Sequence, residues 1–227
     1  MLDFNEMIDR YLYRETRPKQ IGRYYPSEIG GCLRKIWFTY KIPKETRPEL
    51  TRIFEAGNIL HGFVVDVLKS EKIPEVELLE TESSLKMEIG DFAVYGRVDD
   101  IIVLKHKNEK ILVEAKSCKN IESIIEPSPA YIMQLQFYLY ATGIRKGIIL
   151  YIEKNNLRSK TFTYDYDEEI AMEAIERFKK LHKSLKNNIL PEAEAMLDEK
   201  KKWMCEYCDY KDECIKNGKE SVKNINI

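Results

Sequence analysis

Two hydrophobic periods alternate along the chain, and together they predict an α/β fold. Residues 3–14 carry Phe4, Met7, Ile8 and Leu12 at helical spacing. Pro18, Gly22 and Pro26 mark a loop. Leu33–Tyr40 reads as a short helix behind the Gly30-Gly31 pair, broken by Pro43 and Pro48. Residues 49–70 read as a longer helix whose apolar stripe is Ile53, Leu60, Phe63, Val64, Val67 and Leu68. Gly57 and Gly62 lie inside it; each costs about 1 kcal/mol against Ala, so they point to close backbone approach. His61 falls on the apolar face, where a packed core histidine is the commoner outcome and a metal ligand the alternative.

The period then shortens to two. Residues 85–89 alternate, turn at Gly90-Asp91, and feed a strand through Phe92–Leu104. A polar connection, 105–110, leads to a second strand at 111–116. Residues 130–142 form a helix stopped by Gly143. Residues 146–152 are almost continuously apolar, Asn155-Asn156 turn the chain, and 160–166 return antiparallel. A helix over 167–188 has Ile170, Ala174, Ile175, Phe178, Leu181 and Leu185 as its inner face. The pattern predicts a central mixed sheet with helices 130–142 and 167–188 packed on it. Beyond Pro191 the chain is charged and short of core residues, apart from Trp203 and the cysteines.

Three ionisable residues interrupt the two apolar strands. Asp99 stands near the start of the first, and Glu114 and Lys116 at the end of the second. Alternation puts Glu114 and Lys116 on one face and turns Ala115 away. Buried acids are costly unless paired or bound to a cation. Acids from two adjacent strands beside a lysine can hold a divalent metal and assist phosphodiester hydrolysis. An edge hairpin with solvated charges accounts for the same residues equally well. Gln134 and Tyr138 are four apart on one helix face. By themselves they describe an ordinary amphipathic helix with a tyrosine at its rim.

Composition narrows the field. The 227 residues, 44% hydrophobic, suffice for one large domain or a domain with a small appendage. The net charge of −1 does not describe a strongly basic nucleic-acid binder, although local basic clusters remain open. The N-terminus lacks a basic-then-apolar leader, and no apolar run reaches membrane-spanning length, so a cytoplasmic protein is expected. There, five cysteines do not read first as disulfides. Cys205, Cys208 and Cys214 form a CxxC-x5-C set in a tail too short to build its own core, so a metal or cluster staple is expected. Cys32, in a Gly-led turn before a helix, is the natural fourth ligand, and Cys118 is its competitor. Zinc is the plainer occupant. One distant cysteine plus a clustered trio, rather than two CxxC pairs, favours an iron–sulfur cluster.

Taken in order, these residues resemble a known family. Gly96-x-x-Asp99, Glu114-x-Lys116 and Gln134-x-x-x-Tyr138 resemble the motifs of RecB-like nucleases of the PD-(D/E)XK superfamily, and Gly57-Asn58-x-x-His61 their upstream histidine motif. The four cysteines resemble the iron–sulfur staple of the AddB-type and CRISPR-associated members. The short chain, with no GxxxxGK[ST] helicase motif, is similar to the stand-alone CRISPR-associated exonucleases, the Cas proteins numbered four. The resemblance covers residues 26–214.

It implies a restriction-endonuclease-like core, a mixed sheet flanked by helices, capped by a cluster that joins both ends of the chain. The cap would comprise residues 1–48 and 190–227, and the nuclease core 49–189. His61, Asp99 and Glu114 would ligate Mg²⁺ or Mn²⁺, joined by the Ala115 carbonyl. Lys116 would orient or deprotonate the attacking water and stabilise phosphate charge. Gln134 and Tyr138 would position the lysine or the DNA backbone. Cys32, Cys205, Cys208 and Cys214 would hold a 4Fe-4S cluster. Asp100 matches no family position and reads as supporting or structural. The implied activity is single-stranded DNA exonuclease, with endonuclease action as an additional mode, processing spacer precursors in CRISPR adaptation beside integrase proteins. The rival readings are a RecB-like repair or mobile-element nuclease and a non-catalytic, cysteine-stapled DNA-binding module.

Overall fold

The computed structural model describes residues 2–223, with side chains through residue 217. Residues 1 and 224–227 of the expected cap lie outside the described residues. The sheet is mixed and six-stranded, in the order β1-β3-β4-β5-β6, with β2 also paired to β3. These are β1 (Arg23–Tyr24), β2 (Val76–Ile89), β3 (Phe92–Leu104), β4 (Glu109–Cys118), β5 (Lys146–Glu153) and β6 (Ser159–Asp165). β2, β3 and β4 run antiparallel in turn, β5 lies parallel to β4, and β6 returns antiparallel. β1 pairs in parallel with Ala93 and Val94.

The parallel step from β4 to β5 needs a crossover, which α5 (Pro129–Thr142) supplies. Its ends follow from sequence. Ser128 caps it by accepting the Tyr131 N–H, Pro129 opens it, and Gly143 closes it at φ 72°. Residues 133–139 are all buried, because α5 lies between the sheet and α6 (Glu168–Lys186). The inner face of α6 is the one its periodicity predicts, with Ala174, Ile175, Phe178, Leu181 and Leu185 buried.

α1 (Phe4–Leu12) packs along α4 (Pro48–Leu68), where Asp9 meets Arg52 at 2.8 Å. The expected α4 stripe is not buried as a whole. Val64 alone is buried, and Ile53, Phe54, Ile59, Phe63 and Val67 are exposed. α4 touches β2, β4 and the short α1, which together leave those five apolar side chains on an open flank. Gly62 has nothing within 4 Å of a built Cβ, and at Gly57 the nearest atom, Ser117 Oγ, is at an ordinary 3.6 Å. Close approach therefore does not account for either glycine.

β2 starts at Val76 rather than Leu85. A register shift between Leu78 and Glu80, and Glu82 at φ 51°, interrupt the alternation that would have announced it. The N-terminal loop resolves into β1 and the single turn α2 (Pro26–Ile29), and the expected short helix follows as α3 (Leu33–Lys41). The tail forms the short helices α7 (Glu194–Leu197) and α8 (Trp203–Glu206), then α9 (Lys211–Lys223). No helix among the described residues is long and apolar enough to cross a membrane.

Candidate active site

β3 and β4 part company beyond the Asp100–Val113 pair. The next amide of β4 that turns toward β3, Ala115 N–H, donates to the Asp99 carboxylate at 2.9 Å. Continuing the register sets Asp99 opposite Glu114, with both side chains on the α5 face. Glu114 is 2% exposed. Its Oε1 accepts from Lys116 Nζ at 2.7 Å and from Gln134 Nε2 at 2.8 Å. Its Oε2 is buried without a partner.

α5 grips this group from the protein side. Gln134 Oε1 lies 3.3 Å from Lys116 Nζ, and the Tyr131 ring lies 4.5 Å beneath the same ammonium. Tyr138, one turn beyond Gln134, is buried and its hydroxyl donates to the Arg97 carbonyl at 3.1 Å. Its ring also explains Gly96. A Cβ there would fall 2.6 Å from Tyr138 Cε1 and 3.3 Å from Pro26 Cγ. The glycine and the tyrosine of the two motifs are thus one packing contact. Tyr131 carried no signal in the sequence, since one more aromatic on an apolar helix is unremarkable.

The charges are set by burial. It pushes the Glu114 carboxyl up to about 7; Lys116 opposes the shift and Asp99 adds to it. Burial also raises Asp99, against the Ala115 N–H and Lys116. For Lys116 burial works the other way, but the Glu114 and Asp99 carboxylates outweigh it and hold the ammonium above its ordinary value. Lys116 is therefore a cation and a donor.

His61 enters from α4. Its Nε2 lies 3.1 Å from Asp100 Oδ2, and its Nδ1 lies 3.9 Å from Glu82 Oε1. Asp100 is fully buried, and by strand alternation it points away from Asp99 into the layer of Ile102, Ile111 and Val113. Its Oδ1 has no partner. The bond to Asp100 raises the imidazole pKa, burial opposes it, and Asp99 assists. Alternation alone could place Asp100 on the opposite face. That it backs the histidine emerges only once α4 is in position.

His61, Asp99, Glu114, Ala115 and Lys116 line one cleft of about 590 Å³, with Phe54 at its wall. Among the described residues, no three His, Cys, Asp or Glu side chains stand close enough to hold a metal ion. The donors nonetheless suit a hard divalent cation. Two acids face each other across adjacent strands, and one buried carboxylate oxygen is unsatisfied, which costs about 1–3 kcal/mol.

At the N-terminal end of α3, Cys32, Cys205, Cys208 and Cys214 line a second cavity of about 280 Å³. All four are half-buried free thiols. Burial raises Cys205, with the other three cysteines adding to the shift. Met196, Phe38 and Trp203 supply apolar walls, and Arg34 Nη1 lies 3.7 Å from Cys214 Sγ. Cys118 does not join them; it is buried in the main core at the end of β4. The four thiols share this cavity, but among the described residues no three of them stand close enough to hold a metal ion.

The chain matches the family described as the PD-(D/E)XK nuclease superfamily over residues 27–215. It is 28% identical over 213 residues to the CRISPR-associated exonuclease Cas4 of Saccharolobus solfataricus, covering 89% of this chain and 95% of that protein. Among solved structures it resembles SSO0001, with a TM-score of 0.59 and 23% identity, covering 92% of this chain and 94% of that one.

Proposed function

This chain belongs to the PD-(D/E)XK nuclease superfamily, and from that premise we propose a metal-dependent exonuclease that degrades single-stranded DNA, with endonuclease action as an additional mode. The observation that carries the reading is the contact set around Glu114. A buried carboxylate with one unsatisfied oxygen faces Asp99 and is held by Lys116 and Gln134. Asp99, Glu114 and the Ala115 carbonyl would hold Mn²⁺ or Mg²⁺, with His61 as the nitrogen donor on the α4 side. A bound cation supplies a water of lowered pKa and offsets phosphate charge. The protein's own part falls to Lys116, held protonated, which orients that water or stabilises charge developing on the phosphate. Gln134 fixes Lys116 and Glu114, and Tyr138 fixes β3 through the Arg97 carbonyl.

The likeness to the archaeal exonuclease supports a role in CRISPR adaptation, trimming spacer precursors beside integrase proteins in the cytoplasm. Residues 1–48 and 190–227 would close a cap over the core 49–189, with Cys32, Cys205, Cys208 and Cys214 holding a 4Fe-4S cluster. Within the cap β1 reaches into the sheet.

Asp99→Ala and Lys116→Ala should each abolish Mn²⁺-dependent degradation of end-labelled single strands while leaving the circular dichroism spectrum unchanged. Undiminished cutting by either would remove the site assignment. Anaerobically purified protein should be brown and contain iron; a colourless preparation with stoichiometric zinc would replace the cluster by zinc.

A further inference from the structure

The loop that carries Cys32 is tied down by a network that touches neither the cleft nor the thiols of the tail. Arg177, on α6, is only 12% exposed in its side chain. Its Nε donates to the Ile29 carbonyl at 2.8 Å and its Nη2 to the Gly31 carbonyl at 2.6 Å. Its Nη1 and Nη2 also meet Glu194 Oε1 and Oε2, both at 2.9 Å, a fork-to-fork pair. Glu194 Oε2 in turn accepts the Leu33 N–H at 3.0 Å. One arginine–glutamate pair thus holds the two carbonyls before Cys32 and the amide after it. The loop cannot retreat the other way, because Gly30 rests on the start of α5, where a Cβ would fall 2.3 Å from Ala130 Cα.

We propose that Arg177 and Glu194 are positioning residues for the cysteine site. They set Cys32 toward Cys205, Cys208 and Cys214 before any metal group is bound. Glu194 opens α7, the segment that leads to those three cysteines, so the pair also fixes the spacing between the loop and the tail. An arginine is required because only its planar fork reaches two carbonyls and a carboxylate at once. A lysine keeps the charge and loses the geometry. The proposal rests on the reading that the four cysteines act together, and its test separates the two.

Full-length wild type, Arg177→Lys and Glu194→Gln are purified anaerobically. Iron per chain and the persistence of visible absorbance under air are measured. The same proteins, stripped with chelator, are then alkylated with iodoacetamide, and each cysteine is followed by peptide mass spectrometry. The expected result is a several-fold loss of iron or faster bleaching in both variants, together with several-fold faster alkylation of Cys32. Alkylation of buried Cys118, which reports general loosening, should stay at the wild-type rate. If wild type carries no iron yet Cys32 is selectively exposed in the variants, the cluster reading falls and the positioning role stands. Wild-type behaviour of Cys32 in both variants, or a parallel rise at Cys118, would overturn the proposal.

Discussion

Gly96 shows how far a single residue can be read back into chemistry. Its missing Cβ lets Tyr138 pack against β3 three residues from Asp99. Gly96→Ala should therefore destabilise the protein by about 1–3 kcal/mol, the usual cost of overpacking. Combined with Tyr138→Leu the loss should be less than the sum, in a double-mutant cycle followed by thermal melting. Glu114 gives a second prediction. Its carboxyl is raised in the folded chain, so the neutral acid favours folding, and this contribution is lost as pH rises from the unfolded value through about 7. A cation must displace that proton at low pH and not at high pH. The rise in Tm on adding Mn²⁺ should accordingly grow as pH passes through about 7, and vanish in Asp99→Ala. That His61, Asp99, Glu114 and Lys116 belong together was readable from the sequence, and they line one cleft. Asp100 was readable only as a supporting residue without its partner His61, and Tyr131 not at all, because each acts across a gap between elements that no local spacing records.

At the scale of elements, legibility followed length and burial. α5 and α6 are long, capped and packed on the core, and their limits and the inner face of α6 emerge from periodicity alone. α4 was legible as a helix but not as a packing surface, since an apolar stripe does not say whether anything covers it. β1 spans two residues and α2 one turn, too little for any period to register. The bulge in β2 hid its first half. Gly62 offers a test of the α4 description. With open space around its Cβ, Gly62→Ala should stabilise the protein by up to about 1 kcal/mol, measured by denaturant unfolding.

Over the whole molecule the net charge of −1 hides a local pattern. Lys116, Lys154 and Arg97 line the cleft around Asp99 and Glu114. DNA binding without metal should be weak and fall steeply with salt. Lys154→Ala should lower the slope of log affinity against log salt by about one and weaken all sequences alike, as fluorescence anisotropy would report.

The ties between the Cys32 loop and its anchors have a further consequence in time. They join residues 146 to 161 positions apart. A polypeptide emerging from the ribosome presents Cys32 early, and Arg177 and Glu194 late. Closing so long a loop is entropically slow and waits on the sheet between. For most of synthesis the first cysteine is an open thiol without its neighbours. Its protection, and delivery of any metal to it, belong to the end of biogenesis.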